Sequence, residues 1–380
     1  MLRADTIDAG NASEVVKFLL FSDLHLDRPF KSLKESDVIN WRRQALRDAL
    51  NQIIQLAKTK KVDALLCGGD LYEHNYARPD TARFLRDAFA SLHPIPVYIA
   101  PGNHDWLGRQ SLYLTTEWSD NVHLFREACF QPCTLTDGLT LWGAAHHSQQ
   151  TTTNFLENFK VDRSGLHLAL FHGALQGPFA ALEDEPPYAP FAREDIDSAG
   201  FRHAFLGHYH TPIGDPLFTY PGNPAPLDFG ETGERGAVLV TLSADGQLQH
   251  ARYKVSPIDL RDVELDVTGC THEEEIRQRL AGCTRGMTGI ARLTVSGTLG
   301  IDVELHLDQL PTAAVPLQLY LAPSHRYTRA YDYEAIAREK TVRGQFVRSV
   351  QQSDLSEEEK QRVLHAGLRA LAGYEDLEVR

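Results

Sequence analysis

Between residues 16 and 100 the chain alternates short apolar runs with stretches of helical periodicity, and each apolar run stops on a polar motif. Residues 16–21, 62–67 and 96–100 are rich in β-branched and aromatic side chains and read as buried strands. Between them, Val38, Trp41, Ala45, Leu46, Ala49, Leu50, Ile53 and Ala57 recur at helical spacing, with Asp37 suited to the N-cap. A second helix is predicted after Pro79, with Phe84, Leu85, Ala88 and Phe89 inward. Strand–helix–strand–helix–strand order predicts a parallel sheet with right-handed crossovers, and such sheets bind ligands beyond the carboxyl ends of their strands.

After Asp105 the helical signals thin. Strands are predicted at 139–143, 166–171, 203–206, 236–242 and 247–254, the last two joined by a turn at 243–246. Residues 176–197, rich in Pro, Ala and acids, read as an irregular insertion. Near Ser256-Pro257 the chain leaves its first domain. Strands at 262–268, 289–296 and 316–321, with a helix over 272–281, predict a small α+β domain. A helix capped by Ser356 and Glu359 and stopped by Gly373 follows, with Leu364, Leu368 and Leu371 as an apolar stripe. The expected division is a mobile tail (1–15), a catalytic domain (16–258), a smaller domain (259–325) and a helical segment (326–380).

At 380 residues, more than one core is expected. No run is long enough to span a membrane, and residues 1–14 lack the apolar stretch of a secretory signal. The five cysteines are odd in number and never spaced C-x-x-C, which predicts reduced thiols in a cytoplasmic protein without a structural zinc site. A net charge of −13 argues against a general nucleic-acid coat protein, but not against an enzyme with a local cationic site.

The strand ends offer Asp23, His25, Asp70, Asn103, His104, His172, His208 and His210. Singly, each is most simply a polar turn, a cap or a core histidine; together, in this order, they point to chemistry. Imidazole and carboxylate without thiolate suit Mn, Fe or Zn. Two such ions, about 3.5–4 Å apart, hold the attacking and leaving oxygens of an in-line displacement. Asp70 is the natural bridge between them. Two divalent ions bring roughly +4 against roughly −2 from Asp23 and Asp70, so an acidic protein still presents a positive site to phosphate. His104, beside a ligand but not one itself, is placed to protonate a leaving alkoxide.

Asp23-x-His25, Gly69-Asp70, Gly102-Asn-His-Asp105, His172-Gly173 and Gly207-His-x-His210 resemble the five motifs of the calcineurin-like metallophosphoesterase superfamily. Ser22-Asp-Leu-His-Leu26, Arg78-Pro79 and the loop 220–230 resemble its DNA-repair exonuclease branch, the SbcD-like nuclease subunits. The resemblance implies a four-layer α/β sandwich of two mixed sheets flanked by helices, carrying two Mn²⁺ ions. By motif, one ion would take Asp23, His25, Asp70 and His210; the other would take Asp70, Asn103, His172 and His208, with His104 as proton donor. It further implies that residues 259–325 cap a DNA channel and that the C-terminal helices dock an ABC-type, SMC-like ATPase; a second copy of the chain is a further candidate partner. Some nucleases of this branch carry a histidine three residues beyond the second-motif aspartate; here that place is Glu73, followed by His74.

The leading expectation is a metal-dependent DNA exonuclease or endonuclease. A small-molecule phosphodiesterase or phosphatase would use the same site but needs no hundred-residue extension. A scaffold subunit with a decayed site would not keep every ligand position filled. Arg28, Tyr72, His74, Arg78, Trp106, Arg109 and Tyr209 are candidates for contacting a nucleic-acid backbone or stacking bases. His146 and His147 match no motif and read as loop histidines.

Overall fold

The computed structural model describes residues 15–373 apart from 32, 34–35, 178–186, 232, 288, 300–302, 304, 307–309, 311–318, 326 and 330. Residues 1–14 of the expected tail, the centre of the expected insertion and the start of the strand expected at 316–321 lie outside the described residues. The chain divides into two compact units, one ending at Asp259 and one beginning at Leu260.

In the first unit, β1 (Val16–Phe21), α1 (Ser36–Lys60), β2 (Ala64–Cys67), α2 (Pro79–Ala90) and β3 (Val97–Ile99) form the crossover pattern, followed by α3 (Leu112–Thr115) and β4 (Val122–Leu124). Strands β1 to β4 run parallel, with Leu20 opposite Leu66 and Cys67 opposite Ile99. β11 (Ala237–Leu242) and β12 (Leu248–Tyr253) extend this sheet antiparallel beyond β1. A second six-stranded sheet comprises β5 (Gln131–Thr136), β6 (Leu139–Gly143), β7 (Leu166–His172), β8 (His203–Gly207), β9 (Ile213–Asp215) and β10 (Phe218–Tyr220). Its order is β5-β6-β7-β8-β10-β9, parallel except at its two outer pairs. Short helix α4 (Arg193–Ala199) precedes β8.

Alternation along the strands explains how the sheets stack. Phe18, Leu20, Leu66 and Tyr98 of the first sheet pack in one cluster with Leu141, Leu168, Leu170 and Phe205 of the second. The other face of the second sheet carries Trp142, Phe171 and Phe218 in an aromatic cluster with Phe191 and Phe201. Two mixed sheets flanked by helices are the architecture that the resemblance implies.

Two side chains of α1 depart from the expected pattern. Trp41, expected inward, is exposed, and its neighbour Arg42 is buried instead. The Arg42 guanidinium lies 4.6 Å from the centre of the Phe30 ring and donates to the Pro226 carbonyl at 2.6 Å. A long cationic side chain with an aromatic face and an acceptor within reach can be buried where helical periodicity alone would leave it outside.

The strand ends meet at glycines. A Cβ on Gly207, at the end of β8, would lie 2.2 Å from the carbonyl oxygen of Gly68, just past β2. Only glycine at both positions lets the carboxyl ends of the two sheets approach this closely.

The second unit contains β13 (Leu260–Asp266), α5 (Glu273–Cys283), β14 (Gly289–Ser296), β15 (Thr298–Leu299), β16 (Leu319–His325) and β17 (Thr328–Arg329). β13, β14 and β16 form a parallel sheet around Leu265, Ile276, Leu280 and Leu293. Helices α6 (Tyr333–Arg338), α7 (Val342–Gln351) and α8 (Glu357–Leu371) follow, and α8 has the Ser356–Glu359 capping box. Leu364 and Leu368 pack against Ile336, Val347 and Val350, so two thirds of the expected docking stripe is used within this unit. Leu371 is exposed.

Candidate metal centre

The loop after β1 pairs its backbone with the loop after β2: Asp23 N–H donates to Gly69 O at 3.0 Å, and His25 N–H to Asp70 O at 2.9 Å. Four of the seven expected ligands, Asp23, His25, Asp70 and His208, are non-glycine residues at positive φ (55°, 49°, 51° and 118°). Such conformations are costly and persist only where the surroundings over-determine them, which is characteristic of functional sites.

Asp105 supplies part of that constraint. Its carboxylate accepts from the backbone N–H of Asp70 (3.2 Å), Leu71 (2.7 Å) and Gly102 (2.6 Å) and from the Tyr113 hydroxyl (2.5 Å), binding the second motif to the third. Gly102 is required by space: a Cβ there would lie 2.3 Å from Asp70 Oδ1 and 2.7 Å from His172 Nδ1.

The side chains converge. Asp23, His25 and His210 bring ligand atoms within 4.8 Å of one another, and so do Asp23, Asp70 and His172. His208 donates its backbone N–H to Asp23 Oδ1 at 3.1 Å, and its ring centre lies 5.4 Å from that of His172. Asn103 is buried beside them.

The lone pairs at this centre carry the case for cations. His25 Nδ1 lies 3.0 Å from Glu73 Oε1, and His210 Nδ1 lies 2.6 Å from Glu231 Oε1. Carboxylate acceptors assign the ring protons to Nδ1, as they commonly do for metal-binding histidines. Two Nε2 lone pairs then face each other at 3.2 Å. His172 repeats the arrangement: its Nδ1 donates to Gly68 O at 2.9 Å, leaving Nε2 buried without a hydrogen bond, 3.3 Å from Asp70 Oδ2. Asn103 Oδ1 is likewise buried and unpartnered. Acceptors that close repel unless a cation or a proton sits among them, and the several unpartnered atoms here suit cations. The donor set therefore fits two divalent ions, one toward His25 and His210 and one toward His172 and Asn103.

Burial without cations leaves its mark on acidity. It raises Asp23 to about 6 and pushes Asp70 well above the usual carboxylate range. It lowers His25 to about 3 and puts His172 well below the usual imidazole range. All four groups resist charge until a counter-charge arrives.

Glu73 was absent from the expected site. One oxygen accepts from His25; the other lies 3.0 Å from Nδ1 of His104, and Arg28 Nη1 is 3.7 Å away. Burial works to raise its pKa, but hydrogen bonds from His104 and His25 outweigh it and hold the carboxyl well below its ordinary range. In sequence, Glu73 looks like a loop charge; its only signal is its place three residues after Asp70. Glu231 was missed for the same reason. It accepts from His210, Asn223 and the Leu227 N–H, so the loop 220–231 reaches into the site through one carboxylate.

Several expected substrate contacts are elsewhere. Tyr72 is buried, its hydroxyl 2.9 Å from Ser111 Oγ, and Tyr209 is buried, donating to Leu175 O at 2.8 Å. Both are packing residues whose hydroxyls needed partners. His74 stacks on Trp106 with ring centres 4.1 Å apart, and its N–H donates to His104 O at 2.9 Å. Arg28 is partly exposed at the site's edge, whereas Arg78 and Arg109 are exposed. His146 lies in a loop, as expected, but is fully buried there, its Nε2 2.8 Å from the His172 carbonyl.

The calcineurin-like phosphoesterase family profile matches residues 16–212. The chain is 25% identical to the uncharacterized metallophosphoesterase YhaO of Bacillus subtilis over 299 residues, covering 74% of this chain and 72% of that one. It is 27% identical to the DNA double-strand break repair protein Mre11 of Methanopyrus kandleri over 296 residues, covering 68% of this chain and 61% of the relative. Among solved structures, TT1561 of Thermus thermophilus is similar over 63% of this chain and 99% of its own, at 12% identity and a TM-score of 0.37.

Proposed function

The chain belongs to the calcineurin-like phosphoesterase family, and from that premise we propose that it is a two-metal phosphodiesterase whose substrate is DNA. It is a metal-dependent phosphoesterase, and its centre is built for two divalent ions. The observation that carries the reading is the pair of close acceptor sets, His25 with His210 and His172 with Asp70, which two cations would reconcile. We propose Mn²⁺, which the family resemblance implies; the oxygen and imidazole donors suit Fe or Zn as well.

Two ions bound there would activate water and neutralise charge on the phosphoryl oxygens. The chain's own residues do the rest. Asp70 sits between the two acceptor sets and takes the His104 backbone N–H at 2.8 Å, so the bridging position and the acid residue are held together. Glu73 orients the His104 ring through Nδ1, leaving Nε2 to give a proton to the leaving oxygen. The His104 side chain is 17% exposed and open to substrate, as His210 is at 22%, whereas the other candidate ligands are buried.

The likeness to an Mre11 protein over two thirds of the chain supports DNA over a small ester, as does a second unit lying wholly beyond the family match. An ATPase partner belongs to the same reading, and we place its contact on the exposed Val342, Val363 and Leu371 of the C-terminal helices. The test is Mn²⁺-dependent cleavage of duplex ends, single strands, circles and a chromogenic diester. DNA cleavage abolished by EDTA and by Asp70→Asn is expected. Turnover of the chromogenic diester with no DNA cleavage would assign a small-molecule phosphodiesterase instead.

A further inference from the structure

A cavity of about 530 Å³ opens between the edges of the two sheets of the first unit, where β9 and β10 face β11 and β12. None of its lining residues is a candidate metal ligand. Its size falls within the range of about 300–1,000 Å³ typical of small-ligand sites. The walls are mixed: Ile213, Leu248 and two prolines offer apolar surface, and Arg202, Arg252 and His250 offer cationic or donor groups.

The charge balance is the informative part. The single carboxylate lining the cavity, Asp215, is already neutralised, because Arg193 donates to both its oxygens at 2.8 and 3.0 Å and the Leu217 N–H adds a third bond at 2.9 Å. Arg202 and Arg252 have no such partner. Each reaches one carbonyl, Pro216 O at 3.4 Å and Pro221 O at 2.5 Å, and neither forms an ion pair among the described residues. Burial holds Arg252 below the usual guanidinium range. In a chain with net charge −13, two half-buried arginines without an ion pair, in one cavity whose single lining carboxylate is bound by Arg193, are notable. Two guanidinium groups on one cavity wall, neither held by a carboxylate, offer an anion charge-assisted hydrogen bonds.

A hydrogen-bonded chain running from buried His203 and Thr219 to exposed His250 holds the third polar wall. His203 Nδ1 contacts Pro216 O at 3.2 Å and its Nε2 lies 2.9 Å from Thr219 Oγ1, which lies 3.0 Å from His250 Nε2. A carbonyl acceptor at one end assigns the proton order: Thr219 donates to His203 and accepts from His250. The His250 ring is thereby fixed at the cavity wall, preorganised rather than mobile.

We propose that this cavity is a second ligand site, separate from the metal centre, that takes a small organic phosphate with an apolar body of about mononucleotide size. Arg202 and Arg252 hold the phosphate, and Ile213, Leu248, Pro212 and Pro216 hold the body. Pro212 follows the candidate ligand His210 by two residues, so an occupant touches the loop that carries the fifth motif.

Calorimetric titration of the full-length protein, as isolated and after EDTA treatment, with deoxyadenosine monophosphate, inorganic phosphate and deoxyadenosine tests this. The nucleotide should bind in both states, and each fragment should bind at least about tenfold more weakly. Arg202→Gln and Arg252→Gln should each weaken nucleotide binding by about tenfold or more, as expected for a charge-assisted bond. Both variants should keep the parent thermal transition and hydrolysis of a chromogenic diester. Nucleotide binding that disappears with EDTA would place it at the metal centre and overturn the proposal, as would full binding by Arg202→Gln. Deoxyadenosine binding as tightly as its phosphate would overturn the anion assignment. Because Arg252 also holds the Pro221 carbonyl, a misfolded Arg252→Gln leaves the decision to Arg202→Gln and to Leu248→Asp, which should also abolish binding.

Discussion

Replacing Glu73 by alanine separates two jobs that one carboxylate performs. Its oxygens lie 3.0 Å from Nδ1 of His25 and 3.0 Å from Nδ1 of His104, so a single truncation releases a candidate metal ligand and the candidate acid together. Removing a partner behind a metal ligand typically costs about 10–100-fold in metal affinity or activity. Misplacing a general acid forfeits part of a contribution of about 10²–10⁴. At saturating Mn²⁺ the first loss is masked and the second remains. Glu73→Ala should therefore need about 10–100-fold more Mn²⁺ for half-maximal activity. At saturation it should still be about 10²-fold slow on DNA, and nearer parent on a nitrophenyl diester, whose leaving group needs little protonation. Metal affinity is read by titration calorimetry independently of turnover. Glu73→Gln keeps the shape and one acceptor oxygen, so only one histidine can remain oriented, and its losses should be intermediate. Equal rates for Glu73→Ala and parent on DNA at saturating metal would refute the claim that Glu73 positions His104.

Two further outcomes follow from the same geometry. His104→Ala should retain metal binding while losing on the order of 10²–10⁴ in DNA cleavage, with a smaller loss on nitrophenyl esters; an equal loss on both would point to a damaged metal site. Metal uptake should weaken as pH falls through about 6, because burial raises Asp23 to about 6 and Asp70 well above the carboxylate range, and binding requires both ionised. His25, lowered to about 3, adds no protonation penalty until far more acidic pH. The slope should be at least about tenfold in affinity per pH unit below 6, with protons released on binding, measured by calorimetry in buffers of different ionisation enthalpy. A pH-independent affinity between 4 and 6 would contradict it.

Much of this centre was legible in the sequence, for a physical reason. Strands buried on both faces must be continuously apolar, so a Ser-Asp or Gly-Asp ending such a run is conspicuous, and parallel order places those endings on one edge. The residues behind them were not legible. Glu73 and Glu231 are charged loop residues, and only three-dimensional pairing with His25, His104 and His210 distinguishes them from solvated surface. Tyr72 and Tyr209 failed in the opposite sense: a tyrosine beside a motif suggests stacking, but a buried ring with a satisfied hydroxyl looks the same in one dimension. Arg42 took the inward place expected of Trp41 because Phe30 and the Pro226 carbonyl, distant in sequence, accept its guanidinium. His146 lay beyond reach because its partner is the carbonyl of His172, 26 residues away.

The central claim is that two cations resolve the facing lone pairs. An anomalous-scattering map of crystals grown with Mn²⁺ tests it directly. Two peaks are expected, sharing Asp70: one against Nε2 of His25 and Nε2 of His210, the other against Nε2 of His172 and Oδ1 of Asn103. A single peak, or none at these atoms in protein that still hydrolyses phosphodiesters, would contradict the account.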